Sequence, residues 1–148
     1  MRAILLMILF AATCWAEGIF GTWKMNPAHS TSIADPHPKI LTVRFEPHAK
    51  GDVFTLDEIE RDGRATTSST ILYFDGKRRN FQEPQCSGTQ SSRRVDNRTV
   101  EVLRNCDSGG WIRFVRRLAA DRNELILDIT EQKPDGRRLE RRLVLEKQ

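Results

Sequence analysis

The chain has 148 residues, of which 30% are charged and 7% aromatic, and it carries a formal net charge of +4. That length is enough for one domain with a single hydrophobic core. Charge is uneven, because residues 17–75 carry −3 and residues 76–148 carry +6. The basic part contains the arginine doublets Arg78-Arg79, Arg93-Arg94, Arg116-Arg117, Arg137-Arg138 and Arg141-Arg142. No aromatic-rich RNA-binding signature or recognition helix accompanies them, so ion pairs across a solvated sheet face explain them better than nucleic-acid binding.

The N-terminus has the pattern of an export signal. Arg2 supplies one positive charge, and residues 3–12 form an apolar run of about ten residues. A membrane-spanning helix needs roughly twenty, whereas the core of a signal peptide is about this short. Small residues at Cys14 and Ala16 favour cleavage after Ala16, with Ala11 and Thr13 as a second choice. We therefore predict a signal peptide at 1–16 and a mature domain at 17–148, secreted or periplasmic. An uncleaved anchor and a lipid-modified Cys14 are the alternatives.

The mature part reads as short strands without a convincing helix. Apolar residues recur with period two in segments rich in Val, Ile, Thr and Phe. The predicted strands are 20–25, 40–47, 53–61, 64–74, 89–95, 98–105, 111–119, 124–132 and 137–146, with a further short strand at 78–81 as an alternative. The proline-containing passage 28–39 is predicted as a long loop that carries a helical turn across one mouth of the fold. Turn signals such as Asp62-Gly63 join most of the strands directly.

The uniformly short turns predict the architecture. Consecutive strands joined in this way form an antiparallel meander, whose edges invite aggregation unless the sheet closes on itself. We predict an all-β, up-and-down meander of about 8–10 strands closed into a barrel. A two-sheet sandwich with Greek-key crossovers is the rival architecture, and it needs longer connections.

Two cysteines remain in the predicted mature domain. Cys86 and Cys106 form an even pair, which in an oxidising compartment suggests one disulfide. No metal-binding spacing or Cys-x-x-Cys motif competes with this interpretation. Two unpaired core thiols are the alternative, because the sequence does not give the distance between the two Cα atoms.

The first strand carries a family resemblance. Gly21-Thr22-Trp23 fits the lipocalin Gly-x-Trp signature, and residues 21–30 resemble the opening of small secreted bacterial lipocalin-like proteins. Weaker similarities to the same proteins lie at 73–77, 95–101 and 146–148. The resemblance implies a calycin barrel that holds a small hydrophobic molecule, with Trp23 plugging the closed end and Gly21 allowing a sharp bend. His29, where the related proteins have Lys, and the cysteine pair depart from the pattern.

Catalytic and metal-binding motifs find little support. The chain has no Gly-x-Ser-x-Gly elbow, P-loop or His-Glu-x-x-His motif. His29, His37 and His48 lie in or beside predicted loops without the spacing of a metal site. Alternation places Glu58 on the face opposite Asp57, and nothing in the sequence places a second carboxylate across a cleft. We predict no enzyme activity, no metal and no cofactor.

Arginines at inward-facing strand positions are the more specific candidates for ligand binding. Arg141 shares a strand face with Leu139 and Leu143, and Arg116 shares one with Phe114. A buried guanidinium needs a partner because its desolvation is costly. A ligand carboxylate held by two hydrogen bonds would provide one. The alternatives are a position at the barrel rim, a side chain that reaches solvent, or an internal acidic partner.

These observations predict an exported, monomeric barrel that binds a small hydrophobic or amphipathic molecule in its interior, such as one that bears a carboxylate. The predicted ligand-binding residues are Phe45, Phe114, Arg116, Leu127, Arg141 and Leu143. Trp23 and Gly21 are assigned to structure. A barrel filled by its own side chains, working as an envelope or protein-interaction module, is the alternative, and an uncharacterised enzyme comes third.

Overall fold

A computed structural model describes residues 18–33 and 36–148, so the predicted signal peptide lies outside the described residues. This part of the chain contains eleven strands and no helix. The strands are β1 Gly21–Met25, β2 Thr31–Ile33, β3 Ile40–His48, β4 Gly51–Ile59, β5 Ala65–Tyr73, β6 Arg79–Phe81, β7 Gly88–Arg94, β8 Thr99–Cys106, β9 Trp111–Leu118, β10 Glu124–Gln132 and β11 Arg138–Lys147. Accordingly, no helix within 18–33 and 36–148 is long and apolar enough to cross a membrane.

The strands form one antiparallel sheet in the order β5-β4-β3-β1-β11-β10-β9-β8-β7-β6. Sequence neighbours pair with each other from β3 to β5 and from β6 to β11. Strand β1 joins these two runs by pairing with both β3 and β11. The sheet curls into a nearly closed barrel, which confirms the predicted meander. Closure leaves most backbone donors and acceptors paired within the sheet.

The barrel has a seam where β5 faces β7 without a continuous ladder. Side chains and a turn bridge it instead. Gln90 Nε2 donates to Thr70 Oγ1 at 3.3 Å, and the Ser92 hydroxyl donates to the carbonyl of Tyr73. The backbone N–H of Gly76 donates to the carbonyl of Ser92 at 2.9 Å. The seam is therefore closed by polar contacts that the strand pattern alone does not specify.

The passage 28–39 differs from its prediction. Instead of a helical turn, its described residues contain the short strand β2, which pairs antiparallel with Glu140 to Arg142 of β11. Strand β11 is ten residues long, and β1 covers only its C-terminal half. The first half of β11 would be an open edge, so pairing with β2 satisfies its backbone groups.

Trp23 lies in the core towards the end of the barrel where Ile19 packs, which we define as the closed end. Its side chain is fully buried, and its indole Nε1 donates to the carbonyl of Ile19 at 2.8 Å. Gly21 has φ of 116°, a conformation that favours glycine. This conformation turns the backbone into β1 just before the indole enters the core. Trp23 is therefore part of the packed core at this end of the barrel.

The cysteines form the predicted disulfide. Cys86 and Cys106 are bonded, with their Cα atoms 5.1 Å apart. The bond ties the loop 82–87 to the end of β8. This loop lies at the open end of the barrel, opposite Trp23, and it forms part of the cavity described below.

The outer face carries cross-strand ion pairs, as the arginine doublets predict. Glu101 on β8 accepts from Arg93 on β7 at 3.0 Å and from Arg113 on β9 at 2.7 Å. The two guanidiniums, Arg113 above all, lower the pKa of the Glu101 carboxyl. Arg142 on β11 binds Asp128 on β10 at 2.6 Å. Of these arginines, Arg93 and Arg142 are members of the doublets, and both lie on the solvated face of the sheet.

Candidate ligand-binding cavity

The open end of the barrel contains a cavity of about 130 Å³ that is partly open to solvent. Residues of seven strands and the loop 82–87 enclose it. Its apolar wall consists of Leu41, Phe54, Leu56, Ile112, Phe114, Leu127 and Ile129. For comparison, an engineered apolar cavity of about 150 Å³ binds benzene. The enclosed space therefore fits a small ring or a short alkyl segment.

Aromatic rings form the floor of the cavity and separate it from the closed end. The Phe54 ring lies 5.3 Å from that of Phe45 and 5.7 Å from that of Phe114, measured between centroids. Phe45 is almost completely buried on the side of Trp23. Below this floor the interior is filled by packed side chains, because Val43, Leu125, Leu143 and Leu145 are fully buried there.

An ion pair is buried within the filled half. Arg116 Nη2 donates to Asp52 Oδ2 at 2.5 Å, and the two side chains are 4% and 5% exposed. The guanidinium carbon lies 4.5 Å from the centre of the Phe45 ring. Burial lowers the pKa of Arg116, and the neighbouring Asp52 opposes that shift. Arg116 thus faces the interior, and its partner is a carboxylate of the chain itself.

A second ion pair lies at the cavity wall. Arg104 Nη1 donates to Glu83 Oε2 at 2.8 Å, and Arg104 Nε donates to Gln90 Oε1 at the same distance. The guanidinium carbon also lies 5.4 Å from the centre of the Phe114 ring. Burial lowers the pKa of Arg104, against the effect of Glu83. Both charged residues line the cavity.

This second pair is incompletely satisfied. Arg104 Nη2 and Glu83 Oε1 are both buried, and neither has a hydrogen-bond partner among the residues that the structure describes. The side chains of Arg104 and Glu83 are only 7% and 14% exposed. One ion pair beside the cavity therefore contains both a buried donor and a buried acceptor without a hydrogen bond. Leaving these groups unbonded lowers the stability of the fold, and a ligand that bonds to both would remove this penalty.

Three further ionisable residues line the cavity: Glu58, Glu131 and Arg141. Burial is the main factor that raises the pKa of Glu58, and the nearby carboxylates of Glu60 and Glu83 add to it while Arg141 opposes it. Glu131 is bound by Lys133 at 2.5 Å. The cavity wall thus holds three carboxyl groups and two guanidiniums.

The overall geometry resembles known ligand-binding barrels. The zebrafish ileal bile acid-binding protein, solved with cholic acid, superposes with a TM-score of 0.54 at 10% identity, covering 88% of this chain and 99% of that one. A fatty acid binding protein of Schistosoma mansoni, solved with arachidonic acid, gives 0.56 at 10% identity, covering 89% and 97%. The chain has a calycin-type barrel fold.

A third similar structure is a secretary abundant heat soluble protein of Ramazzottius varieornatus, with a TM-score of 0.58 at 7% identity, covering 88% of this chain and 96% of that one. No protein-family model matches the chain, and neither does any curated protein. At identities this low the comparisons establish the calycin-type fold alone.

The six predicted ligand-binding residues all have inward positions, but the structure separates them into two groups. Phe114, Leu127 and Arg141 line the cavity. Phe45, Arg116 and Leu143 lie below it in the filled half of this calycin-type barrel. For Arg116, the internal acidic partner considered as an alternative is the one observed. Three of the six predicted residues miss the cavity because strand alternation gives the face on which a residue lies but not its height along the barrel axis.

Sequence reasoning missed four ionisable residues of the cavity wall, one of which, Glu131, follows Leu127 and Ile129 on the inward face of β10. Arg104 follows Val100 and Val102 on the inward face of β8, so the rule that selected Arg116 also selects Arg104. Glu58 follows Phe54 on the inward face of β4 in the same way. Glu83 lies in the irregular loop 82–87, where no periodicity exists to indicate its direction.

The described part of the barrel shows no site suited to a metal. Among residues 18–33 and 36–148, no group of three or more His, Cys, Asp and Glu side chains could hold a metal ion.

Proposed function

We propose that this protein is exported and that its calycin-type barrel binds a small amphipathic molecule, whose apolar part is buried in the cavity at the open end. The cavity carries the proposal: one wall of aliphatic and aromatic side chains faces a small number of convergent polar groups. This combination is the usual composition of a small-molecule site. Phe114, Leu127 and Arg141 are proposed as direct contacts, and Phe45, Arg116 and Leu143 as the support beneath them.

The similar structures support a binding role. The zebrafish and schistosome proteins are described as binding proteins and were solved with a bile acid and a fatty acid. The enclosed volume in this chain, about 130 Å³, favours a smaller apolar group than either of those ligands presents. A longer ligand would place its first methylenes in the cavity and extend through the open end.

Export is supported by two independent features. The apolar run at 3–12 has the length of a signal-peptide core. The disulfide between Cys86 and Cys106 belongs to the type of bond that forms and persists in oxidising compartments. We therefore propose cleavage after Ala16 and a mature domain that begins at Glu17.

A homologous series of 1-alkanols tests the binding function. Each methylene buried in the cavity should add about 0.8 kcal/mol, so affinity should rise about fourfold per carbon until the cavity is full and then level off. Isothermal titration calorimetry of 1-butanol to 1-dodecanol measures this directly. Absence of binding across the whole series would reject the ligand-binding function and favour the alternative of a filled interaction module.

A pair of matched variants locates the binding. Ser68 lines the cavity, whereas its neighbour Ser69 points outwards and is exposed. Ser68→Trp should fill the cavity and abolish alkanol binding, and Ser69→Trp should leave it unchanged. Equal loss in both variants, or in neither, would show that the alkanols bind elsewhere.

A further inference from the structure

The cavity wall also indicates which head group the ligand carries, an inference that rests on the proposed function. The unmet donor Arg104 Nη2 and the unmet acceptor Glu83 Oε1 belong to two residues that contact each other at 2.8 Å. They are therefore close enough for one small polar group to reach both. Gln90 and Glu83 hold the guanidinium in place, so this pair of atoms is preorganised rather than created by binding.

The charges of the wall argue against an anionic head group. The lining carboxyl groups are those of Glu58, Glu83 and Glu131, and the lining guanidiniums are those of Arg104 and Arg141. Because Lys133 pairs with Glu131, the wall has no net positive charge that would attract an anion. A carboxylate would bring a further negative charge beside these groups. It offers acceptors only, so Glu83 Oε1 would stay without a donor.

A cationic head group fits no better. An ammonium offers donors only, so it could serve Glu83 Oε1 but would leave Arg104 Nη2 unmet. It would also lie beside the guanidinium, where like charges repel at close range. A carboxamide meets both atoms, because its carbonyl accepts from Arg104 Nη2 while its N–H donates to Glu83 Oε1.

We propose that the cavity selects a neutral amphiphile whose head group both donates and accepts a hydrogen bond, of the primary-amide type, over the corresponding fatty-acid anion or alkylammonium. The Arg104–Glu83 pair is the specificity determinant. The apolar wall contributes affinity to all three classes alike, so that only the head group distinguishes them.

Three ligands with the same eight-carbon chain test the proposal: octanamide, octanoate and octylammonium. Titration calorimetry at pH 7 should give the highest affinity for octanamide. The two charged ligands should bind about tenfold or more weakly, because each leaves one buried group unmet. Octanoate or octylammonium binding as tightly as octanamide would overturn the head-group proposal and leave the binding function standing. No binding of any of the three, together with no alkanol binding, would overturn both.

Replacing the acidic member of the pair should reverse the preference. Glu83→Gln keeps the size of the side chain and removes its charge, so Arg104 would then lack an anionic partner. We expect octanoate affinity to rise at least tenfold relative to octanamide in Glu83→Gln. The matched control is Glu46→Gln on the exposed outer face, where Glu46 pairs with Arg44, and it should keep the wild-type order. An unchanged ratio in folded Glu83→Gln would refute the assignment of this pair. If that variant does not fold, the wild-type series decides the question.

Discussion

Removing Asp52 should strongly destabilise the barrel. Its carboxylate is the hydrogen-bonding partner of Arg116, and both side chains are about 95% buried. Asp52→Asn keeps the shape of the side chain but leaves an uncompensated guanidinium in the packed half of the core. Losing one member of a buried pair typically costs about 3–5 kcal/mol, a large part of the roughly 5–15 kcal/mol that stabilises a small domain.

Urea unfolding followed by circular dichroism measures the effect. With a slope of about 2 kcal/mol per molar urea, the midpoint should fall by about 1.5–2.5 M. The exposed pair Arg142–Asp128 provides the control, because its members are 56% and 32% exposed. Asp128→Asn should cost no more than about 1 kcal/mol.

A double substitution tests whether the loss of stability comes from leaving one charge unpaired or from changing these positions at all. Asp52→Leu combined with Arg116→Met replaces both charges by apolar side chains, a change that is often neutral or stabilising for buried pairs. The double variant should therefore be clearly more stable than Asp52→Asn. If Asp52→Asn lowers the midpoint no more than Asp128→Asn does, the argument that Arg116 depends on Asp52 is refuted.

Three further predictions address the disulfide, the closed end and the cavity. Replacing Cys86 and Cys106 together by Ser should lower the free energy of unfolding by about 3 kcal/mol, the entropy of closing a loop of this length; an unchanged urea midpoint would contradict it. Trp23→Ala should lower the free energy of unfolding by about 3–5 kcal/mol, whereas Trp111→Ala, at a half-buried position, should lower it much less. Equal losses in the two variants would reject a special role of Trp23 in the core. The raised pKa of Glu58 contributes stability below its ordinary value of 4.5 that is lost as pH rises through the folded-state pKa. The free energy of unfolding of Glu58→Gln, relative to that of the wild type, should therefore be higher at pH 7 than at pH 4. The same relative value at both pH values would contradict the assignment.

The fold was largely predictable from sequence, because strand alternation and turn residues act locally. The run from Trp111 to Leu118 shows why: its inward residues are apolar except for Arg116, and its flanking turn contains glycines. Strand β2 was not predictable, since Thr31–Ile33 is too short for a periodic pattern and forms only because β11 offers a free edge. Its cause is tertiary rather than local.

The candidate site was predictable only in part. Alternation correctly gave inward directions to Arg116 and Arg141, but it applies equally at every height of the barrel. Whether an inward residue meets the cavity or the packed core depends on the residues opposite it. Arg116 meets Asp52, which is 64 positions away in sequence, and no periodicity links the two.

The two inward arginines with identified carboxylate partners show how one type of interaction serves two roles in the same barrel. Arg116 and Asp52 lie below the aromatic floor, where the pair borders only a cleft of about 20 Å³, which has room for little more than one water, and the buried Arg116 Nη1 lacks a partner among the described residues. Arg104 and Glu83 lie above that floor, where the cavity borders them and each keeps one unmet atom. A pair enclosed by packing can only stabilise or destabilise the fold. A pair that borders a cavity can also discriminate between ligands, because a ligand supplies or withholds the missing partners. The position of the aromatic floor, rather than the identity of the arginine, therefore decides which pair selects the ligand.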